Sequence, residues 1–322
     1  MRILIELPTW LGDTIMTTPA IENLINHYKE SEFIVVGSEI SIEIFKNHHK
    51  IYKTYIFDKK YSSLFLITRK LGKFDVFFSF RNSFRSNFFK FLVRSNIKFT
   101  YKKNNFQKLH QVEKYSVFIN KSLNIKLPIG PLIIQLGDSL IKASDLNKIK
   151  RPILGINPGA SYGNAKRWYP EEFASVAADL SNEYDIAILG GPNEKEIAMD
   201  IEKLLVNKGV KNYENLAGTL NISQLIERIF NLNLFITGDS GPMHIAASFQ
   251  VPTVSIFGPT KDKETSQWNN EKSVILKTNL ECQPCMRRTC PLKHHNCMNL
   301  IKAIDVLNAI KSFDNKLNVS LE

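Results

Sequence analysis

Short apolar, β-rich runs alternate with amphipathic stretches along this chain, and that alternation limits its fold more than any other feature. Arg2–Leu7 reads as a buried strand. Thr14–Tyr28 follows, with Ile15, Met16, Ala20, Ile21, Leu24 and Ile25 at helical spacing. Glu32–Gly37, Lys53–Phe57, Phe74–Phe80 and Ile97–Tyr101 read as further strands, with helical segments between them. Parallel strands need a crossover, usually a helix, so such a rhythm points to βαβ units. It breaks over residues 125–152, which carry Pro128, Gly130, Pro131, Gly137 and Pro152 and no long periodic segment. A second series follows. Ile153–Asn157, Asp185–Gly190, Asn233–Thr237 and Thr253–Phe257 read as strands. Pro170–Ser181, Asn193–Val206, Ile222–Phe230, Pro242–Phe249 and Ile304–Ser312 read as helices. The expected fold class is therefore α/β: two Rossmann-like, doubly wound parallel-sheet domains, 1–147 and 148–322, facing a cleft. Ligands in such sheets bind beyond the carboxyl ends of the strands.

The 322 residues suffice for two cores, and 43% hydrophobic with 23% charged residues is ordinary globular composition, which argues against disorder. No run approaches the ~18 apolar residues of a membrane span. Glu6 and Pro8 interrupt the N-terminus before a signal-peptide core forms, so a cytoplasmic chain is expected. The net charge is +11, and no acidic residue stands between Asp75 and Glu113. That gap holds Arg81, Arg85, Lys90, Arg94, Lys98, Lys102, Lys103 and Lys108. Such a concentration suits an anionic partner (nucleic acid, an acidic membrane surface, or a phosphorylated or carboxylated substrate) or is simply a solvated face.

Three loops carry candidate chemistry. Pro8-Thr9-Trp10-Leu11-Gly12-Asp13 follows the first strand, and Asp13 is either a general base facing the cleft or an N-cap. The loop from Asn157 to Trp168 is rich in small residues and ends in Lys166 and Arg167, as an anion-binding loop would. It lacks the ending of an NTPase P-loop. Gly238-Asp239-Ser240-Gly241-Pro242-Met243-His244 runs from a strand into a helix whose N-terminus suits a diphosphate. Glu194, in Gly190-Gly191-Pro192-Asn193-Glu194, either bonds a ribose or base or is a first-turn helix acid. Cys282, Cys285, Cys290 and Cys297 cluster with His294 and His295. They read as a reduced structural segment, a zinc site or a redox group, although the paired spacing of a zinc ribbon is absent.

Taken in order, these residues resemble the bacterial ADP-heptose:lipopolysaccharide heptosyltransferases, and within that family the heptosyltransferase II group. The resemblance rests on Pro8-Thr9-Trp10-Leu11-Gly12-Asp13, Ala165-Lys166-Arg167-Trp168, Gly238 to His244, and the cysteine-rich tail from Cys282 to Met298. It runs from residue 1 to about residue 310. It implies a GT-B fold, with the first domain holding the acceptor and the second holding ADP-heptose. It implies an inverting transfer of L-glycero-D-manno-heptose to the first heptose of heptosyl-Kdo-lipid A, with no cofactor and no metal. Asp13 matches the family's base and Lys166 the lysine on the donor diphosphate. Asp239, Ser240, Gly241, Met243 and His244 match donor positions, and Ser161 and Glu194 do so less closely. Trp10, Arg81, Ser83 and Arg85 fall where the family meets its acceptor. The resemblance further implies peripheral attachment to the inner membrane of a Gram-negative bacterium. Of the nine phenylalanines between 76 and 112, most are expected in the core, with shallow membrane contact open to the rest.

The nearest alternative is a first or third heptosyltransferase with another acceptor. A nucleic-acid module would leave two phosphate loops unexplained, so nucleic acid is not expected as a partner. A sugar-nucleotide isomerase or epimerase would turn the donor over without acceptor.

Overall fold

The computed structural model describes residues 1–57, 61–102, 108–137, 151–160 and 162–318. The chain divides into two compact units, Met1–Gly137 and Asp138–Glu322. The boundary expected after residue 147 falls within 138–150, outside the described residues.

The first unit orders β1 (Arg2–Glu6), α1 (Leu11–Met16), α2 (Thr18–His27), β2 (Glu32–Gly37), α3 (Glu39–Phe45) and β3 (Ile51–Ile56). It continues with α4 (Tyr61–Leu71), β4 (Lys73–Ser79), α5 (Phe84–Leu92), β5 (Arg94–Thr100) and α6 (Gln111–Leu123). Its sheet runs β3-β2-β1-β4-β5, all parallel. Ile3, Leu4, Ile5, Val35, Val36, Phe77 and Phe78 are all buried because helices cover both faces of the central strands.

The helix expected over Thr14–Tyr28 is two helices, divided at Thr17. Pro19 has no amide hydrogen and cannot bond to the Ile15 carbonyl. The Thr18 hydroxyl donates to that carbonyl instead, at 2.8 Å, and the Thr17 hydroxyl donates to the Thr14 carbonyl at 2.6 Å. Side-chain donors thus replace the backbone ladder where it fails. Of the phenylalanines, Phe77, Phe78, Phe80 and Phe89 are buried, whereas Phe84, Phe88 and Phe91 are exposed.

The second unit orders β6 (Ile153–Asn157), α7 (Pro170–Leu180), β7 (Asp185–Ile188), α8 (Lys195–Asn207), β8 (Tyr213–Asn215), α9 (Ile222–Phe230) and β9 (Leu234–Gly238). Then come α10 (Gly241–Ser248), β10 (Thr253–Phe257), α11 (Asp262–Thr265), β11 (Ser273–Lys277), α12 (Asn296–Asn299) and α13 (Ala303–Asn318). Its parallel sheet runs β11-β10-β9-β6-β7-β8. The edge strands β8 and β11 have no counterpart in the sequence reading. Their half-exposed residues give no continuous apolar run, unlike β9 and β10, which are buried throughout.

Both sheets reverse strand order beside their first strand, between β1 and β4 and between β6 and β9. At such a point the loops leaving the two strands diverge to opposite faces and open a crevice, which is where ligands settle in this fold. The Asp13 and Arg81 loops flank the first switch point, and the Lys166 and Asp239 loops flank the second.

Candidate active site

At the first switch point, Trp10 is the N-cap of α1 and Asp13 lies in its first turn. The N-cap alternative for Asp13 therefore does not hold. The buried hydroxyl of Tyr115, on α6, donates to Asp13 Oδ1 at 3.4 Å. Burial, with the neighbouring Asp13 charge second, pushes the Tyr115 phenol well above its usual range, so it remains a proton donor to that carboxylate. Trp10 is exposed beside it, and Ser83 caps α5 by accepting from the Ser86 amide. The Arg85 guanidinium lies over the Tyr61 ring, 5.5 Å from its centre.

Glu6 ends β1 on the same crevice, 1% exposed. The hydroxyls of Ser79 and Ser86 each donate to its Oε2 at 2.6 Å, and Arg81 Nη1 stands 3.9 Å from its Oε1. This carboxylate ties β1, the end of β4 and the first turn of α5 together, and so fixes the Arg81–Arg85 loop. In the sequence Glu6 stands out only as an interruption of an apolar run. A lone acid closing a strand that is otherwise buried was the available signal.

Burial raises the Glu6 pKa above 4.5, against the opposing hydrogen bonds and the Arg81 and Arg85 charges. The folded state thus holds the proton more tightly than the unfolded chain. The resulting stabilisation is complete below about pH 4.5 and is lost as pH rises through the folded value. Glu6→Gln keeps an acceptor for both serines, so its stability relative to wild type is expected to improve as pH rises from below 4.5. Urea melts across that range check this, and a pH-independent difference would contradict it.

At the second switch point, Lys166 ends a short 3₁₀ turn, Asn164–Lys166, and its ammonium meets Asp239 Oδ2 at 2.6 Å and the Asp239 carbonyl at 3.1 Å. The two side chains are 12% and 8% exposed, so solvent screens this pair little. The ammonium also lies 4.9 Å from the Tyr162 ring centre. The next residues, Ser240 and Gly241, lead into α10. Ser240 is the N-cap, yet its side chain caps no amide. Its hydroxyl accepts from Asn157 Nδ2 at 3.2 Å and lies 3.1 Å from the Thr237 hydroxyl. The end of β6 is thereby stitched to the end of β9, where Asn157 and Thr237 are in register. The start of α10 offers its amides and positive dipole end beside a fixed lysine.

His244 lies in the first turn of α10, 3% exposed, and Met243 before it is fully buried. Glu194 is buried against Gly159, where any Cβ would collide with its Cγ, and its Oε1 is 3.9 Å from Arg167 Nη2. Ser161 lies outside the described residues.

The cysteine-rich tail shapes the lysine loop. The Ala165 amide donates to the Arg288 carbonyl at 3.0 Å, and the His295 ring nitrogen Nε2 lies 2.9 Å from the Ala165 carbonyl. Tyr162 donates to the Met286 carbonyl at 2.8 Å, and Trp168 Nε1 donates to the Ile301 carbonyl at 2.8 Å. The Arg288 backbone lies so close to Gly163 that any larger residue there would collide with it. The four cysteines are free thiols and line, with His294 and His295, a cavity of about 20 Å³. Burial, and then its neighbouring thiols, push Cys297 up to about 11, which keeps it an inert thiol at neutral pH. Their clustering is plain in the sequence, but their hold on the Lys166 loop comes only from these tertiary contacts.

Two parallel α/β units, each with polar loops at the switch point of its sheet, have the architecture of the GT-B fold. The model of glycosyltransferase family 9 (heptosyltransferase) matches residues 68–296. The chain is 40% identical over 315 residues to the lipooligosaccharide heptosyltransferase 2 of Campylobacter jejuni, covering 97% of this chain and 98% of that protein. A glycosyltransferase family 9 structure from Veillonella parvula superposes with TM-score 0.84 at 21% identity, over 97% of this chain and 96% of that one. Heptosyltransferase II of Escherichia coli superposes with TM-score 0.81 at 20% identity, over 99% and 100% of the respective chains. The chain belongs to glycosyltransferase family 9, the heptosyltransferases.

Proposed function

We propose that this chain is an inverting glycosyltransferase that moves L-glycero-D-manno-heptose from ADP-heptose to the first heptose of heptosyl-Kdo-lipid A. The observation that carries the donor half is the Lys166 ammonium fixed on Asp239 at 2.6 Å, beside the start of α10. Glycosyl transfer builds positive charge on the sugar and negative charge on the departing diphosphate. Donors already fixed where that charge develops stabilise the transition state without reorganising. Lys166 and the first amides of α10 supply such donors, with Ser240, Gly241 and His244 around the same loop. Glu194 takes the role of reading the nucleoside in this proposal. On the acceptor side, Asp13 removes the hydroxyl proton as the oxygen attacks the anomeric carbon, and ADP departs from the opposite face. Trp10 packs on the sugar, and Arg81, Ser83 and Arg85 meet the acceptor's anionic groups.

The test is ADP release from ADP-heptose with heptosyl-Kdo-lipid A present, absent, or replaced by Kdo-lipid A. Release only with the heptosylated acceptor supports the reading. Preference for Kdo-lipid A points to a first-heptose enzyme, and release without acceptor points to hydrolysis or isomerase-like chemistry. Because Lys166 and the α10 amides are assigned the work of a divalent ion, EDTA is expected to leave the rate unchanged. A loss restored by Mg²⁺, Mn²⁺ or iron would overturn that assignment.

A further inference from the structure

The lysine loop carries two cations, and each already faces a carboxylate. The Lys166 ammonium meets Asp239 Oδ2 at 2.6 Å, and Arg167 Nη2 stands 3.9 Å from Glu194 Oε1. Each pair is neutral overall. A nucleotide sugar brings negative charge on both of its phosphates, and that charge grows as the nucleoside diphosphate departs. Two neutral pairs offset little of it at a distance, so an unmatched cation close by would add much.

Arg288 is such a cation. It lies between Cys285 and Cys290 in the cysteine-rich tail and is exposed. Its guanidinium sits 5.3 Å from the centre of the Tyr162 ring, and the Lys166 ammonium stands 4.9 Å from the centre of that same ring. Among the described residues the guanidinium meets this ring rather than a carboxylate. The backbone beneath it is fixed to the lysine loop. The Arg288 carbonyl accepts the amide of Ala165, the residue before Lys166, at 3.0 Å. The Tyr162 hydroxyl donates to the Met286 carbonyl at 2.8 Å, two residues before Arg288. Gly163 packs so closely that a Cβ there would collide with the Arg288 carbonyl oxygen. Cations held near one ring repel each other, and an anion bound beside both relieves that repulsion. Stacking on Tyr162 also orients the guanidinium, whose planar fork suits two parallel hydrogen bonds to a phosphate.

We propose that Arg288 is a second cation for the donor diphosphate, supplied by the cysteine-rich tail. The inference rests on the donor reading above. It gives the tail a part in binding as well as in shaping the loop.

The test measures ADP by calorimetric titration and adenosine by ligand-observed NMR, without acceptor, for wild type and four variants. Arg288→Met keeps an unbranched apolar stem against Tyr162. It is expected to bind ADP about tenfold to a hundredfold more weakly, the range for losing a hydrogen bond to a charged group, with adenosine affinity and melting temperature unchanged. Arg288→Lys is expected to recover part of the loss, because it restores the charge without the fork. Arg287→Ala, one position away, is expected to bind ADP as wild type does. ADP binding weakened in Lys166→Ala but not in Arg288→Met would overturn the inference and leave the donor reading standing. Equal losses for ADP and adenosine in Arg288→Met would also overturn it, making Arg288 a support of the loop alone. A wild type that bound no ADP would overturn the donor reading and this inference together.

Discussion

Lys166→Ala is expected to lower acceptor-dependent kcat by about 10²–10³-fold, the usual loss when one fixed donor to a developing oxyanion is removed. Lys166 carries a unit charge and is held by two contacts to Asp239, so it needs little reorganisation when the diphosphate arrives. The variant has a second expected effect. Asp239, 8% exposed, loses its cation and becomes a buried, unpaired carboxylate. Breaking a buried pair on one side costs about 3–5 kcal/mol at full burial. A fall in activity alone would therefore mix catalysis with folding. Lys166→Met/Asp239→Asn separates them: stability should return towards wild type while the rate stays low. ADP-release kinetics and urea melts on the same preparations check both. Recovery of rate in the double variant would mean that Lys166 serves only the fold.

Asp13→Asn is expected to lower kcat by about 10²–10⁴-fold, the range for general base catalysis, and to leave the KM for ADP-heptose nearly unchanged. The amide cannot accept the proton of the attacking hydroxyl. The donor loops belong to the other unit, so they should be untouched. Tyr115→Phe removes the hydrogen bond that orients the carboxylate and is expected to reduce kcat by a smaller factor, about tenfold. Quenched-flow or coupled ADP assays at saturating acceptor would measure both. A loss below tenfold for Asp13→Asn would place the base elsewhere.

Much of this site was legible in sequence because the fold concentrates it. Ligand residues in a doubly wound sheet sit directly after strands, and β1, β6 and β9 are short apolar runs that end in Gly-, Pro- or Asp-bearing loops. Asp13, Lys166, Asp239 and Ser240 could therefore be picked out from local pattern, and the structure places each in the segment that follows a switch-point strand. The roles of Tyr115 and Glu6 were not legible. Tyr115 lies on α6, 102 positions from Asp13, in an ordinary amphipathic pattern. Glu6 is linked to serines 73 and 80 positions away. Nothing local marks such partners, because strand pairing and helix packing bring them together.

The same distinction separates the two aromatic groups of the basic region. Phe77, Phe78 and Phe89 look no different in sequence from Phe84, Phe88 and Phe91. Phe77 and Phe78 are buried on the central strand β4, and the rotation of α5 on the sheet buries Phe89 while exposing Phe84, Phe88 and Phe91. The cysteine tail behaves likewise, since its hold on the Lys166 loop depends on contacts across more than a hundred positions. By itself the sequence determined the α/β class, the two-unit plan and the loops that carry charge, because each follows from local periodicity and turn chemistry. Tertiary structure alone decided which carboxylate is buried, which cation is pinned and which face stays open, because burial and pairing depend on neighbours that are remote along the chain.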